Sequence, residues 1–446
     1  MSKQTRIIDH LIMLDKRKMK IADILQNVII GLTVSFVALS LGAAFGILSG
    51  RGAFTGMMSA GIIAVITSFL GGTRVQCSGP TAPMSSICAV IVAYAYENKL
   101  PDNIQADHFV NVILILTGVI LLIMGVLRLG KFICIVPNVV VSGFMNGIAA
   151  LIWVDQAQVL LSFEGELHLN TIIVLVTLLI IYSQYSKIVP STLIAIIVIS
   201  AWTNFSKWSV EYMVIENTIT HFNELAIMVG EQIPRVWSST IILAALPFAL
   251  QLALLCYLDT LLTSLVVDGI SGESTQQNKE LVAQGIANGV VSLFGGVPGA
   301  QATIRSVLML KENATLRIAG ICVGLFVLIE LLAFQNLLQY IPSAVFIGIL
   351  IKVGFDVFDF EPIKLYFNNS GMLAQKQADQ KIRVTTLEML LIGSTALITI
   401  LIDLNIAVIS MTILFHFLNK FIIQKQPLRD LKPKYNTTKT EDTMPD

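Results

Sequence analysis

Charged residues are scarce in this sequence: Asp, Glu, Lys and Arg make up 13% of its 446 residues, against roughly 25% in an average soluble domain. Together with 55% hydrophobic residues and a mean hydropathy of +0.78, that scarcity excludes an ordinary soluble enzyme. An excess of either sign is missing as well. The 29 basic residues are matched by 29 acidic ones, so no global field draws the chain to nucleic acid. CxxC spacing is absent: Cys77, Cys88, Cys134, Cys256 and Cys322 sit in or beside apolar windows and read as reduced packing residues rather than a zinc or redox site. His10, His108, His168, His221 and His416 form no ligand pair at helical spacing, so no metal centre is expected. A cleavable signal peptide is not found, because no short apolar region with a small-residue cleavage site follows the charged first residues.

Long apolar runs stand in place of charge. A bilayer core about 30 Å thick needs about 20 mostly apolar residues per crossing helix. Full-length or nearly full-length windows fall at 27–48, 53–70, 109–127, 133–152, 171–185, 188–205, 240–267, 281–294, 316–334, 341–355, 386–402 and 406–423. Two shorter pieces, 83–96 and 302–310, each follow a Gly/Pro-rich run and read as half-helices. With the chain divided at the hydrophilic stretch 206–235, each is the third window of its half. Seven elements per half is an odd number, so the second half enters the bilayer from the opposite side. The expected fold class is an all-α polytopic membrane protein with about fourteen transmembrane elements, built as a seven-plus-seven inverted repeat with two half-helices.

Positive residues concentrate on the cytoplasmic side of membrane proteins. The N-terminal tail, residues 1–23, carries Lys3, Arg6, Lys16, Arg17, Lys18 and Lys20, and the C-terminal tail, 424–446, carries Lys425, Arg429, Lys432 and Lys434. Both ends are therefore expected to be cytoplasmic. Fourteen elements agree with this and place Arg128, Lys131, Lys187, Lys364, Lys376, Lys381 and Arg383 on the same side. Twelve helices with two buried loops would also leave both ends inside.

The first candidate site is the run Gly71-Gly72-Thr73-Arg74-Val75-Gln76-Cys77-Ser78-Gly79-Pro80-Thr81-Ala82-Pro83. Extended backbone at membrane depth must be buried in protein or line a cavity. Thr81 suits the cap and Pro83 the first turn of the half-helix that follows, whose N-terminus offers unpaired N–H groups and partial positive charge. The run Gly295-Gly296-Val297-Pro298-Gly299-Ala300-Gln301-Ala302-Thr303 has the same logic at the matching place in the second half. In an inverted repeat the two half-helix N-termini face each other across one gap, and two positive dipole ends favour a small anion. The plainer alternative is that both runs are packing kinks.

Asp259 lies inside a long apolar window, and an intramembrane carboxylate marks a pathway or a pairing site. Thr263 is one turn on, on the same helix face. With backbone carbonyls at Gln301 or Thr303, these would form a hard-oxygen site suited to Na⁺ or a proton; the alternative is that Asp259 only pairs with a base such as Arg305 or Lys352. Glu330 and Lys352 read as structural or interfacial, while Asn146, Gln284 and Asn288 serve equally as interhelical glue or as substrate contacts.

These residues resemble a known family. The stretch from Gly31 through Ala43-Ala44-Phe45-Gly46-Ile47 to Thr81 is similar to the first three helices of the SulP family of inorganic anion transporters. Leu258-Asp259-Thr260-Leu261-Leu262-Thr263-Ser264, then Lys279-Glu280-Leu281-Val282-Ala283-Gln284-Gly285, then Leu293 to Ala300, resemble its helices eight to ten. Ile341-Pro342 followed by Gly348-Ile349-Leu350-Ile351-Lys352-Val353-Gly354 resembles its twelfth. The likeness covers 24–423 and implies a uracil-permease-like fold with core and gate domains, an elevator-type movement, and a place near the bacterial bicarbonate branch. It implies a cation site at Asp259, Thr263, Gln301 and Thr303 and an anion site at Thr81, Ala82, Ala302 and Thr303. Gln301 stands where that branch tends to have Gly, so its side chain is expected to enter the site. Ser40 and Met309 replace a proline and an asparagine common in the family. Only a short tail follows Ile423, so no STAS domain is expected.

The expectation is a secondary active transporter of a small oxyanion, bicarbonate or sulfate, coupled to Na⁺ or H⁺, in a bacterial inner membrane and compatible with a homodimer. The alternatives are an uncoupled anion channel or exchanger and, less well supported, a nucleobase permease, whose carboxylates the half-helix at 302–310 lacks. No nucleophile, base and oxyanion set converges, so neither an enzyme nor a cofactor is expected.

Overall fold

The computed structural model describes residues 21–98, 100–162, 167–183, 191–206, 208, 210–212, 222–338, 340–369, 384–402, 404–422 and 428. The basic residues of both tails, together with Lys187, Lys376, Lys381 and Arg383, lie outside the described residues.

The helices run in the order α1 (Ile21–Leu48), α2 (Ala53–Leu70), α3 (Ala82–Glu97), α4 (Ala106–Val126), α5 (Asn138–Ser162), α6 (Leu167–Ser183), α7 (Ser191–Ser206) and α8 (Phe222–Gln232). They continue as α9 (Ser239–Ser271), α10 (Gln277–Ser292), α11 (Thr303–Lys311), α12 (Arg317–Leu338), α13 (Ser343–Val357), α14 (Glu361–Asn369), α15 (Thr386–Leu401) and α16 (Leu404–Phe417). Two three-residue strands, β1 (Ser78–Pro80) and β2 (Gly299–Gln301), precede α3 and α11. Each apolar window becomes a helix, and α1, α2, α4, α5 and α9 are by themselves long and apolar enough to cross a membrane.

Two helices fall outside the apolar windows. α8 packs Met228, and α14 packs Leu365 and Tyr366, against the core; an apolar stripe that narrow orders a surface helix without registering as a membrane window. The window at 133–152 is displaced, because Leu129–Ile135 forms a 3₁₀ segment and α5 begins only after Pro137. Proline has no N–H to give to a continuing helix but starts one well, and its carbonyl accepts from the N–H groups of Val140 and Val141.

The helices sort into two groups. α1 packs on α2, α12 lies against both, α10 packs on α2 and α4, and α9 on α4. In the other group α15 packs on α5, α13 on α5 and α6, α7 on α6, and α16 on α15. Close approach is bought by small residues in the first group. A Cβ on Gly324 of α12 would stand 2.5 Å from the Gly61 carbonyl oxygen of α2, and one on Gly285 of α10 would stand 2.7 Å from that of Gly118 in α4. Such backbone contact drives association where the hydrophobic effect between helices is absent.

Candidate functional site

The extended runs are satisfied by protein, as backbone at membrane depth requires. Glu280 of α10, fully buried, accepts at one carboxylate oxygen from the N–H groups of Gly72 (2.7 Å) and Thr73 (3.0 Å) and from Gln76 Nε2 (3.0 Å). In the second run, Asn288 both accepts from the Gly299 N–H and donates to its carbonyl, each at 2.9 Å, and Ser59 Oγ receives the Val297 N–H at 2.8 Å. Gln284 donates to Ser78 Oγ at 2.8 Å. Gln284 and Asn288 thus act as glue, and so does Asn146, whose side-chain oxygen accepts from the Asp359 N–H at 2.6 Å.

β1 and β2 pair antiparallel in the register Ser78 to Gln301, Gly79 to Ala300 and Pro80 to Gly299. That ladder sets the N-termini of α3 and α11 side by side. A cavity of about 80 Å³ lies against them. One wall holds Pro80, Thr81, Ala82, Ala302, Thr303, Ile304 and Arg305, with Leu41 and Phe45 of α1 and Asp259 of α9; the other holds Met145 of α5 and Val353, Asp356 and Val357 of α13. A buried water needs on the order of 10–15 Å³ on this measure, so the space takes a small ion together with several waters.

Of the residues chosen from sequence, Thr81, Ala82, Asp259, Ala302 and Thr303 line this cavity. Thr81 does occupy the N-cap position of α3, but its hydroxyl makes no cap hydrogen bond; it donates instead to the Asp259 carboxylate at 2.7 Å. Thr263 lies behind the wall, its hydroxyl 2.6 Å from that of Thr303. One face of α9 therefore grips both half-helix N-termini, through Asp259 and Thr263. Asp259 forms no ion pair with Arg305 or Lys352 among the described residues. Lys352 pairs with Asp356 one turn on.

Gln301 departs from expectation. Its side chain does not line the cavity; it is fully buried behind Ala302, because its strand position is locked by pairing with Ser78 and by the Gln301 N–H to Thr260 Oγ1 contact at 3.3 Å. Both polar atoms of its carboxamide lack a hydrogen-bond partner.

In sequence Arg305 reads only as a mate for Asp259; the structure gives it a larger place. It is 1% exposed and lines the cavity; Nη2 donates to the Pro80 carbonyl at 3.0 Å, whereas Nε and Nη1 have no partner. Gly79 makes room for it, since a Cβ there would lie 2.8 Å from Nη1. The signal was present in the sequence: a basic residue in the first turn of a short apolar helix opposes the helix dipole and calls for a negative partner. Glu330, also apolar in context, accepts a hydrogen bond from Ser35 at 2.6 Å between α12 and α1, away from the cavity. No cluster of His, Cys, Asp and Glu able to hold a metal occurs among the described residues.

Two half-helices aimed at one cavity within a bundle of apolar helices are the arrangement of a membrane transporter for a small ion. Comparison with known proteins agrees. The model of the sulfate permease family matches residues 24–179 and 168–370, and the chain belongs to that family. It is 28% identical over 403 residues to the bicarbonate transporter BicA of Picosynechococcus, covering 85% of this chain and 67% of that protein. It is 29% identical over 407 residues to YvdB of Bacillus subtilis, a sulfate transporter by provisional name, covering 86% and 71%. The solved transmembrane domain of a cyanobacterial BicA superposes with a TM-score of 0.73 at 27% identity, covering 88% of this chain and 99% of that one. The protein is thus an integral membrane anion transporter with several membrane-spanning helices, not an enzyme.

Proposed function

We propose that the protein is a secondary active transporter of a small inorganic oxyanion, bicarbonate or sulfate, coupled to Na⁺ or H⁺ at Asp259. The observation that carries this reading is the charge arrangement of the cavity: a carboxylate and a guanidinium with two unpartnered nitrogens share its wall with two helix N-termini. In a low-dielectric site each charge must be compensated. With the site empty, Asp259 and Arg305 offset each other. A cation or proton at Asp259 removes that compensation and leaves the Arg305 N–H groups and the N-termini of α3 and α11 in need of a negative partner. Anion binding is thereby tied to cation binding. Thr263, Thr303 and the Gln301 backbone supply further oxygens for the cation, and Thr81, Ala82, Ala302 and Thr303 frame the anion.

A seven-plus-seven inverted repeat is supported by the pairing of helices. The α2 to α12 contact has its counterpart in α10 to α4, and α15 to α5 in α6 to α13; even the glycine contacts correspond, Gly61 with Gly324 and Gly285 with Gly118. The division into a group holding α1, α2, α9 and α12 and a group holding α5, α6, α13 and α15 suits an elevator in which the first carries the site past the second. The cavity shares Ile304 and Asp356 with a vestibule of about 740 Å³, and Lys364 on that vestibule belongs to the set that the positive-inside rule assigns to the cytoplasm, the side expected for both termini. The names of BicA and YvdB point to bicarbonate and sulfate as substrates.

The test is uptake of radiolabelled bicarbonate and sulfate into proteoliposomes with and without an inward Na⁺ or proton gradient. Gradient-dependent uptake of one anion, lost in Asp259→Asn and in Arg305→Met, is expected. Uptake by Asp259→Asn that still follows the cation gradient would reject the coupling site, and uptake with no gradient dependence would favour a channel or exchanger.

A further inference from the structure

The central cavity and the vestibule meet at a neck formed by Ile304 of α11 and Asp356 of α13, the two residues that line both spaces. Asp356 is therefore a carboxylate on the route of an anion, and its side chain is 38% exposed. Its partner Lys352, four residues earlier on α13, lines neither space and is 19% exposed. Lys352 also lies 5.4 Å from the centre of the Tyr182 ring of α6, so the ammonium is held off the lining of both spaces. The turn is rigidly seated. Trp153 of α5 packs on Phe355 and Phe358 at ring separations of 4.8 and 5.6 Å and donates to the Ile351 carbonyl at 3.1 Å, while the Asp359 N–H is bound by Asn146. The other charges around the vestibule, Lys311 and Lys364 against Asp359 and Glu361, balance in number. The charged side chain at the neck itself is Asp356, and Lys352 offsets it.

We propose that the Lys352–Asp356 ion pair is the charge filter of this neck, setting the relative ease with which anions and cations pass between vestibule and binding cavity. The proposal rests on the anion-transport reading for its biological sense but not for its test. A lone carboxylate would repel the anion and attract the cation; a lone ammonium would do the reverse. The intact pair presents a dipole that both ions pass, as a carrier that loads one of each requires.

The neck is probed by placing a cysteine at its other wall, Ile304→Cys, in the full chain in proteoliposomes, and measuring reaction rates with an anionic sulfonatoethyl and a cationic trimethylammonioethyl methanethiosulfonate. Protein with the native Ile304 gives the background from the natural cysteines. Relative to Ile304→Cys alone, adding Lys352→Met is expected to lower the anionic-to-cationic rate ratio about fivefold, and adding Asp356→Asn to raise it by a similar factor. The double change Lys352→Met with Asp356→Asn restores it to within about twofold, since the two charges cancel. All shifts shrink at high salt. Ratios that do not move, or that move the same way in both single variants, would overturn the proposal in favour of a packing role. If Lys352→Met does not fold, Asp356→Asn alone decides by its sign. Charge-sorted labelling without uptake of bicarbonate or sulfate would leave the filter standing and sink the substrate assignment.

Discussion

Thr81 and Asp259 show what a residue's type conveys and what only its neighbours decide. A threonine before a proline-initiated helix suggests a cap, and the position is right, but the hydroxyl is taken by a carboxylate that lies 178 positions away in sequence. The hydrogen bond orients Asp259 toward the cavity. Thr81→Val should therefore weaken the cation dependence of uptake several-fold while Thr81→Ser preserves it, read as the Na⁺ concentration for half-maximal uptake; equal loss in both would show that Thr81 acts only through backbone shape. Arg305 is the opposite case, a residue visible in sequence whose role was missed because burial without full pairing is a three-dimensional property. Outside the membrane, Asp102 accepts from the hydroxyls of Ser238 and Thr240 at the start of α9, and those bonds hold its carboxyl below the usual range. A depressed folded-state pKa contributes stability above the unfolded value, near 4, that is lost as pH falls through the folded one. The difference in thermal midpoint between wild type and Asp102→Asn should accordingly shrink between pH 7 and pH 3; a constant difference would mean the carboxylate is not what matters there.

Helices were the most legible level. The apolar windows and the two Gly/Pro-led half-helices coincide with α-helices to within a few residues at most ends, because a bilayer imposes one simple requirement on length and polarity. What failed was local. α5 starts only after Pro137, and α8 and α14, each with a narrow apolar edge, give no membrane window. The pairing of β1 with β2 was not foreseen either, since three-residue strands carry no periodic signal. Glycines at the α4 to α10 and α2 to α12 contacts also read in sequence as generic small residues, yet they set interhelical distance. Gly285→Ala places a Cβ 2.7 Å from the Gly118 oxygen, closer than such contacts allow, and is expected to cost about 1–3 kcal/mol through overpacking. Unfolding of the detergent-solubilised protein by scanning fluorimetry checks this, with Gly289→Ala, where nothing lies within 4 Å, as the silent comparison.

Taken together, the two groups of helices and the shared cavity amount to one transporter, and the proposed coupling makes its ligands report on each other. If a cation at Asp259 strengthens anion binding by some factor, the anion strengthens cation binding by the same factor. Titrations of each ion against saturating amounts of the other, by calorimetry on the purified protein, should return equal factors that collapse to one in Asp259→Asn; unequal factors would reveal an additional site. The ladder between β1 and β2, with Glu280 fastened to Gly72 and Thr73, has a further consequence for how the molecule is made. Backbone at Gly72, Thr73, Cys77 and Ser78–Pro80 depends for its hydrogen bonds on residues beyond 275, so the first half emerges from synthesis with much of its most polar segment unpaired inside lipid or still outside it. Its completion waits for more than 200 residues of later chain, a long loop to close and a slow step by topology. Biogenesis should therefore proceed through a long-lived half-inserted species in which the membrane helices are formed and the transport site does not yet exist. Synthesis of the two halves as separate polypeptides, cut within 213–221, would then be expected to assemble a working site after insertion, the ladder forming between chains instead of within one.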